Sequence, residues 1–163
     1  MTDSTVRVLF VCLGNICRSP LAEGVFLSLL REAGADDRFE VDSAGTAGYH
    51  IGDLPDPRTR DVARRRGIEL TSRARQVEAE DLDRFDYVVV MDSQNLADVR
   101  RLADGAEVRA EIRRLREFDD ENGGDLDVPD PYYGGPQGFE DVHDIVERSC
   151  RRLLDHITAV RVR

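Results

Sequence analysis

"VRVLFVCLGNICRSPLAEGVF" (residues 6–26) decides how this chain is built. An apolar run ends at Cys12, small and polar residues follow to Ser19, and a helical pattern begins at Leu21. "VRVLFV" (6–11) is β-branched and apolar without alternation, which predicts a strand buried on both faces. Leu21, Ala22, Val25, Phe26, Leu29, Leu30 and Ala33 recur at i, i+3, i+4 and predict one buried helix face. Ser19 reads as its N-cap, Pro20 as its first helical residue and Gly34 as its stop. A strand that runs into a helix through a short loop is half of a β-α-β unit.

The same alternation continues outward. "FEVDSAG" (39–45) reads as a second strand, and "DPRTRDVARRRG" (56–67) as a helix with an Asp cap, a Pro start and a Gly end. "FDYVVVMD" (85–92) is the third strand, followed by "SQNLADVRRLAD" (93–104) as a helix capped by Ser93. "EIRRLREF" (111–118) is a weaker fourth strand. Residues 119–138 lack periodicity, which in a compact domain marks a functional or disordered loop. Phe139, Val142, Ile145, Val146, Cys150, Leu153, Leu154 and Ile157 predict a last helix over 139–160. Four strands each followed by a helix predict an α/β, doubly wound parallel sheet over one domain, 1–163. Sites in such sheets lie beyond the carboxyl ends of strands, where Cys12 and Asp92 both fall.

Composition narrows the function. With 33 acidic and 23 basic residues the net charge is −10, which disfavours nucleic acid as a partner. Every basic residue is arginine, so Schiff-base chemistry and a Walker-type phosphate loop are both excluded. No run approaches 18 apolar residues, so no membrane partner is expected. "MTDSTVRVLFV" lacks the features of a signal peptide, and three cysteines make no disulfide framework. These point to a reducing, cytoplasmic setting, leaving open export by a route without a signal peptide.

Cys12 and Arg18 form a C-x5-R pattern. Three cysteines and 23 arginines in 163 residues give roughly 0.4 such matches by chance, so position must carry the argument. Between a strand end and a helix start, backbone N–H groups converge on one spot and cradle an anion. Gly14 frees the backbone there, and Arg18 offers a fork to two phosphate oxygens. A thiol in that field ionises readily and becomes a nucleophile, and Ser19 could donate to the departing sulfur. Attack on a phosphate ester also needs an acid for the leaving oxygen. Asp130 in "VPDPYYGG" (128–135) is the candidate, held extended by Pro131, with Tyr132 and Tyr133 suited to wall a pocket for a flat ring.

"VCLGNICRSP" and "DPYYG" together resemble the low-molecular-weight protein tyrosine phosphatases. The similarity continues through "VDSAGTAGYHIGDLPD" (41–56), "RARQ" (73–76) and "FDYVVVMD", nearly the whole chain. It implies a four-stranded sheet of flavodoxin-like order 2-1-3-4 and hydrolysis of phosphotyrosine proteins without metal or cofactor, by a monomer or weakly self-associating chain. It further implies Cys12 as nucleophile, Arg18 as phosphate clamp and Asp130 as general acid and then base. Leu13, Gly14, Asn15, Ile16, Cys17 and Ser19 complete the phosphate loop, with Asn15 shaping it and supported by Ser43. Ile16, Tyr49, Tyr132 and Tyr133 match the substrate cleft. Ser72 stands where animal members often carry a histidine that braces this loop. Cys17 has two readings, a reversible disulfide partner that guards Cys12 or a small packed residue.

An arsenate reductase needs resolving cysteines downstream, and only Cys150, on an apolar helix face, follows Cys17. A phosphoarginine phosphatase of the same family resembles a loop with threonine where Ile16 stands, and lacks the tyrosine pair. A silent phosphate-binding module needs neither nucleophile nor acid. His143, flanked by Glu140, Asp144 and Glu147, reads as part of a solvated charged face, and "DDENGGDLD" (119–127) lacks EF-hand spacing.

Overall fold

A computed structural model describes residues 5–133 and 135–161. Its centre is one four-stranded sheet in the order β2-β1-β3-β4, all parallel. The strands are β1 (Val6–Cys12), β2 (Phe39–Gly45), β3 (Tyr87–Val90) and β4 (Glu111–Arg114). The helices are α1 (Arg18–Glu32), α2 (Pro57–Arg65), the single turn α3 (Asp81–Arg84), α4 (Ser93–Ala103) and α5 (Gly135–Arg161).

β1 shows why its sequence does not alternate. Val6, Val8 and Phe10 join a core with Leu21, Val25 and Phe26 of α1 and Val146 and Leu153 of α5. Leu9 and Val11 point the other way, into a core with Leu82, Phe85 and Val99. Both faces are covered, so both must be apolar.

Several boundaries differ from the sequence reading. α1 begins at Arg18, its N-cap position is Cys17, and no side chain caps it. Pro20 falls inside the first turn, where its missing N–H still costs nothing. The cap of α4 is Asp92 rather than Ser93: its carboxylate accepts from the Asn95 N–H. β4 is shorter than 111–118, because the chain tightens into a 3-10 turn over Leu115–Phe118. Residues 119–133 are not a free loop. Asp119 is buried and pairs with Arg148 and Arg116. Burial alone would raise its carboxyl, but Arg148, the Glu121 amide and Arg116 hold it below the usual range.

His143 is buried, not solvated: it lies on the α5 stripe between Phe139 and Val146. Among the described residues, no helix is long and apolar enough to cross a membrane.

Candidate active site

β1 ends at Cys12 opposite Gly45 of β2, and the chain turns back into α1 within six residues. The turn depends on Asn15, which carries φ 58 and is the one non-glycine residue with positive φ among those described. Gly14, assigned that freedom from sequence, does not take it. Asn15 tolerates the left-handed region because its short amide finds local partners. Its Oδ1 accepts from the Arg75 N–H at 3.0 Å, and its Nδ2 donates to Ser19 Oγ at 2.8 Å. Ser43, expected to support Asn15, instead donates to Glu23 at 2.6 Å. Glu23 is pushed up by burial, against hydrogen bonds from Ser43 and from Ser72 at the departing position. Ser43 and Ser72 therefore brace α1 rather than the loop.

The Cys12 sulfur sits inside this turn. It accepts from the Asn15 N–H at 3.3 Å and lies 3.0 Å from the Ser19 hydroxyl. Because Asn15 donates to that same oxygen, the serine proton is left for the sulfur or, at 3.3 Å, for the Ala44 carbonyl. Ser19 is thus aimed at the sulfur instead of capping α1. The helix end stays uncapped beside Cys12, with donors available to an anion.

Arg18 is buried and held from two further elements. Its Nη1 donates to Asp92 Oδ2 at 2.7 Å and to the Val128 carbonyl at 3.0 Å. Burial alone would weaken the charge, but Cys12, Asp92 and Asp130 raise its pKa. Asp92 serves twice, one oxygen capping α4 and the other fixing the guanidinium. Asp130 Oδ2 lies 3.7 Å from Arg18 Nη2, while its Oδ1 accepts from the Tyr132 N–H at 3.0 Å.

These groups face one cavity of about 250 Å³, walled by Leu13, Gly14, Ile16, Tyr49, His50 and Tyr132. Cys17 also lines it, with burial pushing its thiol up to about 12. The side chain of Tyr133 lies outside the described residues. Sequence reasoning missed His50, Gly45 and Arg75. A histidine without metal spacing gives no signal, and the other two act through backbone. A Cβ on Gly45 would stand 2.6 Å from the Leu13 carbonyl oxygen.

The arrangement is a thiol at an uncapped helix N-terminus, with a buried guanidinium and a carboxylate across from it: equipment for cysteine-based phosphoryl transfer. The comparisons place it more narrowly. The family model "Low molecular weight phosphotyrosine protein phosphatase" matches residues 7–162, and the chain belongs to that family. It is 48% identical to the low molecular weight protein-tyrosine-phosphatase of Streptomyces coelicolor, covering 92% of each chain. The crystal structure of YfkJ from Bacillus subtilis superposes with a TM-score of 0.90 at 42% identity, over 98% of this chain and 99% of that one. A tyrosine phosphatase from Entamoeba histolytica, with Hepes in its active site, gives 0.87 at 35% identity, over 97% and 100%.

Proposed function

We propose that this protein hydrolyses phosphotyrosine in protein substrates through a phosphocysteine intermediate on Cys12. The observation that carries the reading is the placement of the Cys12 sulfur under two donors, in one cavity with Arg18 and Asp130.

In the first step the thiolate attacks phosphorus, the S–P bond forms and the P–O bond to the phenol breaks. Asp130 gives its proton to the departing phenolate oxygen. Arg18 and the end of α1 hold the non-bridging oxygens as charge builds on them. In the second step Asp130 takes a proton from water, whose oxygen attacks phosphorus. The S–P bond breaks, and the Ser19 hydroxyl stabilises the returning thiolate. Ile16, Tyr49 and Tyr132 offer apolar walls to the ring, and Tyr133 is assigned there from sequence. The positive charge comes from Arg18 and the helix, so the reaction asks for no metal or cofactor. One chain carries every group named, so a monomer suffices. A reducing compartment such as the cytoplasm suits an enzyme whose three cysteines are all free.

The test compares Cys12→Ser and Asp130→Asn on a phosphotyrosine peptide and on p-nitrophenyl phosphate. Cys12→Ser should lose turnover by about 10⁴-fold or more on both substrates while inorganic phosphate still raises its Tm. Asp130→Asn should lose roughly 10²–10³-fold on the peptide and far less on p-nitrophenyl phosphate, whose leaving group needs little help. Substantial turnover by Cys12→Ser would sink the mechanism.

A further inference from the structure

Arg58 lies in the first turn of α2, away from the reacting atoms, and the chemistry above makes no use of it. Its guanidinium is nevertheless fixed on three sides. Nε donates to Asp56 Oδ1 at 3.1 Å and Nη2 to Oδ2 at 2.9 Å, a two-pronged fork on one carboxylate. Cζ stands 4.6 Å from the ring centroid of Phe139 in α5 and 5.3 Å from that of Tyr132. Holding a half-exposed arginine in one rotamer costs side-chain entropy, which the fork and the two rings oppose.

What Arg58 joins is more telling than what it touches. Asp56 caps α2 by accepting the Arg58 N–H at 2.8 Å. Asp56 also donates its own N–H to the Ile16 carbonyl in the phosphate loop, at 2.8 Å. On the other side, Tyr132 donates its N–H to Asp130 Oδ1. A continuous line therefore runs from Ile16 through Asp56, Arg58 and Tyr132 to the carboxylate of the acid. Beneath it Cys17, Val62 and Phe139 pack with Ile16, so the line rests on a small apolar floor.

We propose that Arg58 is a positioning residue for the general acid. By stacking on Tyr132 it sets the amide that orients the Asp130 carboxylate, and by its fork to Asp56 it refers that orientation to the phosphate loop. The proposal rests on the reading of Asp130 as the acid. A residue that merely stabilised the start of α2 would affect every substrate alike. A residue that aims the acid matters in proportion to how much the leaving group needs a proton.

The experiment measures kcat for Arg58→Met, Arg58→Lys, Asp130→Asn and the double variant R58M/D130N. The substrates form a series of aryl phosphates, from p-nitrophenyl phosphate to phosphotyrosine, whose phenol has a pKa of about 10. Arg58→Met should lose about 10-fold on phosphotyrosine and less than about 2-fold on p-nitrophenyl phosphate. Arg58→Lys keeps a charge at the cap but not the planar fork, and should fall between wild type and Arg58→Met. In the Asp130→Asn background, Arg58→Met should cause no further leaving-group-dependent loss, since there is no acid left to aim.

Equal losses across the series in both Arg58 variants, or a further leaving-group-dependent loss on top of Asp130→Asn, would overturn the role of Arg58. The steep dependence of Asp130→Asn itself would survive that outcome. A flat dependence in Asp130→Asn would instead overturn the acid assignment, and this proposal with it. If Arg58→Met folds poorly, as its Tm would reveal, the Arg58→Lys series alone decides.

Discussion

The loop that carries Cys12 and the loop that carries Asp130 meet at one guanidinium, yet they are held in different ways. Residues 12–18 are fastened on almost every side. Thr46 and Ala47 donate to the Cys12 and Leu13 carbonyls, Asp56 to that of Ile16, and Arg75 to the Asn15 amide. Gly45 packs so closely beneath that no Cβ fits. The Asp130 loop is tied mainly behind the acid: Ser93 donates to the Asp127 carboxylate and Arg116 to its backbone carbonyl, and Val128 bonds Met91 and Arg18. Asp130 itself has Arg18 at 3.7 Å, and Tyr132 has the stack of Arg58. The proposed nucleophile and clamp are thus preorganised, which electrostatic stabilisation demands. In the proposed mechanism the acid, Asp130, serves two steps, giving a proton and then taking one, and it stands beyond the loop's backbone tie at Val128.

That contrast can be broken at the heavy end first. Gly45→Ala should force the phosphate loop to shift, with about a 10²-fold loss of kcat and a stability cost of about 1–3 kcal/mol. The loss should be the same for p-nitrophenyl phosphate and phosphotyrosine; a loss confined to the poor leaving group would place the damage in the acid loop instead. Asp92→Asn keeps the cap of α4 but removes the charge against Arg18. It should lower kcat by about 10-fold on all substrates, read from the same series.

The lightest perturbation lies on α5. Neither His143 ring nitrogen has a hydrogen-bond partner, and burial holds the ring below its ordinary pKa, reinforced by Arg66 and opposed by Glu147, Asp144 and Glu140. The folded state therefore binds this proton less readily than the unfolded chain. Stability is full above about pH 6.5 and falls as pH drops below it, where the unfolded histidine gains its proton. His143→Leu should flatten the fall of Tm between roughly pH 7 and 5 and add about 1 kcal/mol at neutral pH. An unchanged pH profile would assign the acid sensitivity to other groups.

Much of this was legible from sequence, and the limits have physical causes. The strands, their parallel order and the Cys12–Arg18 loop follow from local runs, spacing and resemblance. Asp92 stood out because it ends a strand. His143 was misread because its neighbours in sequence are acidic, although its i, i+3, i+4 relation to Phe139 and Val146 placed it on the buried stripe. Ser19 looked like a cap because capping and donating to sulfur use the same hydroxyl at the same helix end. Gly45, Arg75 and Arg58 were invisible: one acts by lacking a side chain, one through its backbone, and one through rings more than seventy residues away.

The core beneath α1 has a consequence for the order in which a ribosome delivers this chain. Cys12 leaves the exit tunnel early, but Asp130 and the α5 residues Val146, Cys150 and Leu153, which cover Leu21, Val25 and Leu29, come last. A nascent chain halted before α5 therefore exposes the apolar face of the helix that follows the Cys12 loop. The hydrolase switches on only near the end of translation, and until then that helix face is a natural client for a chaperone.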